Sequence, residues 1–303
     1  MIGESIALAS AAFFGLSGAA IAKGAPDARG DNGAFLSVLL TLAFAGILWL
    51  AIGVAEGWPT DPVPLAVGIA FFAASGLLAT VFGRLTNFRA IALSGAIRAS
   101  LYRRLIPVFS VILGFVILGE RYSLSAVIGM LVIGASVALT IRARMPVVDG
   151  PAADVPAPQM RLGVMFGFVC ALCYASAYIT RKLAMDYIPD AAFGAMFGAL
   201  TGLLWYVAAA PVSTRYRTNL TQVFATAGPW QWIAAASLSI GQVLLFFALK
   251  HADVAVVAII GTTEIFIGAY LAAFVFRTEP PPGAMLIAAT VLATFGVVLV
   301  AVG

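Results

Sequence analysis

The chain has 303 residues, of which 62% are hydrophobic and only 10% are charged. A soluble protein carries about a quarter charged residues, so this composition excludes an ordinary water-soluble protein and indicates a chain that folds in lipid. On such a chain the formal net charge of +4 reflects basic loops rather than a nucleic-acid partner.

Apolar segments long enough to cross a membrane recur along the whole chain. A hydrocarbon core of about 30 Å requires roughly 20 apolar residues in a helix. The predicted spans are 4–22, 33–54, 63–86, 93–119, 123–141, 162–181, 189–210, 229–249, 252–277 and 283–302. The sequence therefore predicts an all-α membrane protein with ten transmembrane helices. Its five-helix halves occupy 1–142 and 161–303 and are joined by a linker at 143–160.

The two halves of the chain resemble each other at an offset of 159 residues. The aligned positions include Ser17 with Ser176, Lys23 with Lys182, and Glu120 with Glu279. Because five spans per half is an odd number, similar halves must enter the membrane from opposite sides. We therefore expect two inverted repeats around a central cavity, with a binding site between them.

The distribution of basic residues predicts the orientation. Lys and Arg are more frequent in the loops on the side opposite the N-terminus. Cytoplasmic loops carry an excess of these residues. We therefore expect both ends of the chain outside the cytoplasm.

Pro107 lies deep within the predicted fourth span. A proline inside a helix leaves a backbone carbonyl without its partner and bends the helix, so we expect a hinge at this position. The ninth span, its counterpart in the repeat, is loosened by Gly261 and Gly268.

Charged residues occur in the same two spans. Glu264 lies at the centre of the ninth span, and Arg103 and Arg104 lie at a similar depth in the fourth. Charges inside a membrane are costly and mark functional or paired groups. Three interpretations remain open: a structural ion pair, a substrate site in which arginine takes a carboxylate and Glu264 an ammonium, and a proton-coupling carboxylate.

Polar and aromatic side chains are interleaved on corresponding spans of the two halves. In lipid such polar groups should face the interior of the bundle or a wet cavity, and their mixture with rings suits an amphiphilic solute. The candidate substrate-binding residues are Ser17, Tyr102, Arg103, Arg104, Tyr174, Ser176, Tyr178, Gln242, Thr263 and Glu264.

The sequence predicts no metal site and no cofactor. Cys170 and Cys173 have C-x-x-C spacing, but no further Cys or His lies nearby to complete a metal site, so we interpret them as small residues at a helix contact. The chain has one histidine, His251, in a loop, and one deep acid, which makes an intramembrane enzyme the weakest hypothesis. No ATP-binding motif is present.

Two stretches, 88–137 and 246–299, each combine a polar helix start, a long helix, a terminal Glu and a Gly- or Ala-rich last helix. In these features the chain resembles the drug/metabolite transporter superfamily with two EamA-type repeats, and it is most similar to the YddG-like amino-acid and metabolite exporters. The resemblance implies ten helices in a basket around a cavity that opens alternately to either face. The small four-helix members of the superfamily use a membrane Glu in their first helix. Here the first span has Ser17 in that region and no deep acid, so the resemblance does not by itself imply their proton–drug exchange.

The function expected from the residues and the resemblance is a secondary transporter that exports amino acids, including aromatic ones, or related small metabolites across the bacterial inner membrane. The alternatives are exchange of phosphorylated or nucleotide-linked metabolites and multidrug export. We expect a monomer whose partners are its small-molecule substrate and the lipid bilayer.

Overall fold

The described part of the chain is mostly helical. The structure is a computed structural model that describes residues 1–24, 33–94, 105–144, 157–278, 281 and 283–302, and no strand occurs among them. In chain order the helices are α1 (Ile2–Gly24), α2 (Ala34–Ile52), α3 (Pro62–Gly76), α4 (Arg84–Ser94), α5 (Ile106–Leu113), α6 (Leu124–Arg144), α7 (Ala157–Tyr187), α8 (Ala191–Ala209), α9 (Thr214–Thr226), α10 (Pro229–His251), α11 (Val254–Gly261), α12 (Glu264–Tyr270) and α13 (Ala284–Val302). Three π-helical segments extend α3, α5 and α12, at Leu77–Gly83, Gly114–Leu118 and Leu271–Val275.

The protein is a multi-pass membrane protein. In the described part of the chain, 7 helical stretches are long and apolar enough to cross a membrane: Ile2–Gly24, Ala34–Ile52, Pro62–Asn87, Arg161–Tyr187, Ala191–Ala209, Pro229–His251 and Val254–Val275. Shorter apolar helices lie at Ile106–Leu118, Leu124–Leu139 and Ile287–Val300, where the fourth, fifth and tenth spans were predicted. A total of ten crossings stays a prediction.

Helix α9 has no counterpart among the predicted spans. It is polar and joins α8 to α10. Its apolar edge packs on the bundle, because Val223 is buried and the ring of Tyr216 meets that of Tyr206 edge-on with centroids 5.1 Å apart. This short helix covers one end of the bundle and is too short to cross a membrane.

The largest helix contacts join the first half of the chain to the second. Helix α1 packs along α10, α2 along α8 and α6 along α13, while α7 packs against both α3 and α4. A smaller contact joins α5 to α11. Two buried side chains make similar bonds across these contacts. Ser10 Oγ donates to the carbonyl of Gly241 at 2.7 Å, and Cys170 Sγ donates to the carbonyl of Gly83 at 3.3 Å.

Small residues set the distance between α1 and α12. A Cβ atom added at Gly15 would lie 2.8 Å from the carbonyl oxygen of Glu264 and 2.9 Å from the backbone nitrogen of Gly268. Lipid tails are as apolar as leucine, so helices associate in membranes through such close backbone contacts. The contact at Gly15 therefore fixes α1 against the start of α12.

Replacing Gly15 with Ala should destabilise the protein, because the new methyl group meets backbone atoms that cannot move aside. We expect a cost of about 1–3 kcal/mol, seen as a lower midpoint of thermal unfolding in detergent. Gly18 on the same helix is the matched control, since a Cβ atom there meets nothing within 4 Å. Gly18→Ala should leave the midpoint unchanged or raise it, and equal effects of the two substitutions would contradict this contact.

One tight turn occurs twice, once in each half. After the π segment that ends at Leu118, Gly119 has φ 66°, and Glu120 N–H donates to the carbonyl of Gly114 at 3.1 Å. After the π segment that ends at Val275, Arg277 has φ 52°, and Thr278 N–H donates to the carbonyl of Ala272 at 2.8 Å. A left-handed conformation is uncommon for a residue with a side chain, so its recurrence at Arg277 indicates a shared backbone design.

Glu120 caps the start of α11 from the other half of the chain. Its side chain is buried, and its carboxylate accepts hydrogen bonds from the backbone nitrogens of Val254 at 2.6 Å and Ala255 at 3.4 Å. Position 120 lies at a predicted span end, where a role as interfacial anchor would be usual, but the structure shows a buried helix cap instead. Asp253 occupies the N-cap position of α11, yet its side chain makes no capping bond.

Tyr122 completes this contact by donating to Glu120 Oε2 at 2.8 Å. Burial of the ring, together with this hydrogen bond to a carboxylate, raises the pKa of Tyr122 above its ordinary value. The hydroxyl therefore keeps its proton at and well above neutral pH and remains a donor. Gly114 leaves the room that the Glu120 carboxylate occupies, since a Cβ atom there would meet Glu120 Oε2.

Replacing Glu120 with Ala should lower stability by about 1–3 kcal/mol, because the first N–H groups of α11 lose their buried acceptor. Asp253→Ala is the control, since Asp253 makes no side-chain capping bond, and it should change the midpoint of thermal unfolding much less. A larger effect at Asp253 than at Glu120 would show that the cap is local to α11.

Candidate functional site

A buried arginine lies where helices of both halves meet. Arg181 belongs to α7 and is only 3% exposed. The predicted sixth span ended at this residue, where an arginine would lie at the membrane surface. That prediction is wrong, because α7 continues to Tyr187. At about 1.5 Å of rise per residue, Arg181 therefore lies roughly 9 Å inside the end of its helix.

Two polar side chains from other helices hold the guanidinium group. Nε donates to Ser75 Oγ on α3 at 3.0 Å. With its amide oriented so that the oxygen faces the guanidinium, Gln242 on α10 accepts from both Nη1 and Nη2 at 3.0 Å each. Arg181 thus connects one helix of the first half with two of the second.

Aromatic rings cover the same group. The guanidinium carbon lies 4.6 Å from the ring centroid of Phe246 and 5.5 Å from that of Tyr178. Phe246 is itself held by Phe72, with ring centroids 6.3 Å apart. Arginine over aromatic faces is stabilised by about 0.5–2 kcal/mol for each contact, more where water is excluded.

The charge of Arg181 is solvated by dipoles and rings rather than by an opposite charge. No carboxylate of the described residues forms an ion pair with it. Two buried acids of the described residues are bonded elsewhere: Glu120 caps α11, and Asp190 accepts from the backbone nitrogen of Phe193 at 2.9 Å. A buried cation without a counter-ion is costly, which makes Arg181 a candidate functional residue.

Three of the predicted site residues lie in or beside this cluster. Tyr178 and Gln242 contact Arg181 directly. Tyr174 lies one turn before Tyr178. Its ring packs against Gly83, at the end of the first π segment, where an added Cβ atom would lie 3.0 Å from the ring. Ser176 is half-buried on the same helix, and its carbonyl accepts from Thr180 Oγ1 at 3.0 Å.

Ser17 is placed in a helix contact instead. Its side chain is 1% exposed, and Oγ donates to the carbonyl of Ala234 on α10 at 2.8 Å. The hydroxyl therefore joins α1 to α10.

The ninth predicted span is interrupted at its centre, as the sequence indicated. Helix α11 ends at Gly261 and α12 begins at Glu264, with a two-residue turn between them. The hydroxyls of Thr262 and Thr263 donate to the carbonyls of Ile259 and Ile260 at 2.6 and 2.7 Å, so the end of α11 is satisfied by its own side chains. Glu264 is half-buried at this break.

The arginine pair and the proline of the fourth span are described only in part. Tyr102, Arg103 and Arg104 lie outside the described residues, so their proximity to Glu264 stays a prediction. Pro107 is buried in the first turn of α5, a position that proline tolerates because the first N–H groups of a helix have no internal partner. The hinge at Pro107 also stays a prediction.

Sequence reasoning missed Arg181 and Ser75. The adjacent Lys182 faces the end of α10, where its ammonium donates to the carbonyls of Leu249 at 2.8 Å and Ala252 at 3.0 Å. The available signal was helix phase, since Tyr174, Tyr178 and Arg181 recur at the spacing of one helix face. That face distinguishes Arg181 from its neighbour.

Comparisons with known proteins agree with a transport protein of this fold. Residues 1–142 match the EamA-like transporter family, which forms part of the drug/metabolite transporter superfamily. A solved crystal structure superimposes with a TM-score of 0.71 at 18% sequence identity, covering 99% of this chain and 95% of that one. At that identity the likeness concerns the fold alone. No curated protein matches the chain. The match and the apolar helices together support a membrane transporter.

Proposed function

We propose that this protein is a secondary transporter that exports amino acids, including aromatic ones, or related small metabolites across the bacterial inner membrane. In this proposal ten transmembrane helices form two inverted repeats around a central cavity, and the protein works as a monomer by alternating access. The observation that carries the proposal is the matched packing of the two halves of the chain.

The matched packing follows the repeat offset. Exchanging the halves converts the pair α1 and α10 into the pair α7 with α3 and α4, and both pairs are in contact. The bonds from Ser10 to Gly241 and from Cys170 to Gly83 occupy nearly equivalent places in the two pairs. Interfaces related in this way support a rocking movement of one repeat against the other.

The recurring turn at Gly119 and Arg277 supports the same internal repeat. Each turn follows a π segment near the end of an interrupted or proline-containing apolar stretch. Broken helices at matching positions of two halves are typical of transporters whose binding site lies near the middle of the membrane. In this proposal the binding site includes the break before Glu264 and the cluster around Arg181.

The monomeric state is supported by the packing of Gly194, Gly198 and Gly202, which form a stripe of small residues at four-residue spacing on α8. A Cβ atom added at Gly194 would meet the ring of Phe72, and one added at Gly202 would lie 2.7 Å from Thr80. Both contacts lie within the chain, so this stripe packs inside the bundle rather than against a second copy.

The proposed function is tested by reconstituting the purified protein in proteoliposomes and measuring counterflow of labelled solutes at two pH values. Aromatic amino acids should exchange faster than in protein-free liposomes, whereas nucleotides and cationic drugs should not. Counterflow of nucleotides alone would indicate exchange of nucleotide-linked metabolites. Counterflow of cationic drugs alone would indicate multidrug export. No movement of any solute would contradict the proposal.

Glu264 supplies a second test of this function. Its position at the helix break places a carboxylate where a transport cycle would use it. Glu264→Gln should reduce the transport rate by about tenfold or more, or remove its pH dependence, while insertion stays intact. Glu56 is exposed in the loop after α2, so Glu56→Gln is the control and should transport normally. A normal rate and pH response in Glu264→Gln would make Glu264 dispensable.

A further inference from the structure

We propose that Arg181 is the recognition point for the substrate's anionic group, and that this group is a single carboxylate. This inference rests on the transport function proposed above. It assigns to the Arg181 cluster a ligand class, an organic monocarboxylate, that the fold and the family match leave open.

The hydrogen-bond capacity of Arg181 is only partly used. A guanidinium group has five N–H donors. Nε uses one on Ser75, and Nη1 and Nη2 each use one on the amide oxygen of Gln242. Two donors are left without an acceptor in the described part of the chain. Gln242 also offers a neutral oxygen where arginine forms its strongest bonds with a carboxylate, because paired N–H groups match two carboxylate oxygens.

The surroundings favour one negative charge over two. Phe246, Phe72 and Tyr178 make the walls apolar, so any uncompensated charge brought into the cluster would be costly. Lys182, the next residue in sequence, directs its ammonium to the carbonyls of Leu249 and Ala252 and does not add to the charge at Arg181. Within the described residues, one cation faces the site, and a monoanion balances it.

The amide oxygen of Gln242 occupies the position at which the substrate carboxylate would bind Arg181. In this structure its amide oxygen satisfies the end of the guanidinium group without neutralising it. A substrate carboxylate would form a charge-assisted bond that is roughly twice as strong as a neutral one, so exchange of the amide for the carboxylate favours binding. Ser75 keeps the guanidinium oriented during the exchange, because it bonds Nε on a different edge.

Gln242→Glu separates this role from a purely structural one. The substitution keeps the size of the side chain and adds a permanent carboxylate beside Arg181. If Arg181 binds the substrate carboxylate, the carboxylate introduced at position 242 occupies the same donors and excludes the substrate. If Arg181 only holds helices together, the new ion pair preserves or improves stability and does not affect ligand binding.

The experiment uses the full chain in lipid nanodiscs and measures binding of L-phenylalanine, 3-phenylpropionate and L-phenylalaninamide, with thermal unfolding of each variant alongside. We expect the wild type to bind the two carboxylates and to bind the amide on the order of tenfold more weakly. Gln242→Glu should lose carboxylate binding by about tenfold to a hundredfold, with an unfolding midpoint at or above that of the wild type.

Arg161 lies exposed near the other end of α7, so Arg161→Gln is the matched control and should bind as the wild type does. Arg181→Lys keeps the charge but loses the paired donors, and it serves if Gln242→Glu fails to fold. Its carboxylate binding should fall by about tenfold while amide binding is unchanged.

Unchanged carboxylate binding in Gln242→Glu, or in Arg181→Lys where that variant is used, would overturn the proposal. Failure of the wild type to bind either carboxylate would overturn it as well. The transport function would fail separately, through the absence of counterflow of any solute. Binding without transport, or transport of cationic drugs without carboxylate binding, distinguishes the two failures.

Discussion

Close approach of helix backbones at small residues is the constraint on which the rest of this structure depends. Inside lipid, helices gain little from burying apolar side chains against each other, so their association requires contacts at backbone distance. Gly76 is an example: a Cβ atom there would lie 2.6 Å from the carbonyl oxygen of Gly198. This contact brings α3 close to α8 and presents the adjacent Ser75 to Arg181. The packing of small residues thereby positions the polar cluster.

The polar groups between the halves are joined by hydrogen bonds and ring contacts. Arg181 meets a hydroxyl, an amide and two aromatic faces, all of which lower the cost of burying its charge without cancelling it. An internal ion pair would have satisfied the same group and left nothing for a ligand. The neutral partners therefore make burial of Arg181 possible and leave its charge available to a ligand.

The long helices and the break before Glu264 could be predicted from the sequence, because apolar length and the glycine at position 261 are local signals. The position of Arg181 could not be predicted from span length, since only the extension of α7 to Tyr187 places it inside. The cap at α11 was also beyond local patterns. Asp253 has the residue type and position of a cap, yet the bond comes from Glu120, which is distant in sequence. Partners of this kind are set by tertiary packing.

The hydrogen bonds between Glu120 and α11 also bear on how the two halves of the chain can move. The carboxylate belongs to the loop after α5, in the first half, and it holds the first turn of a helix in the second half. Tyr122 adds a further hydrogen bond to the same carboxylate from within the first half. If the halves rock against each other about this contact, the first turn of α11 moves little relative to Glu120. The contact then acts as a fulcrum, and the larger displacement falls at the opposite membrane face.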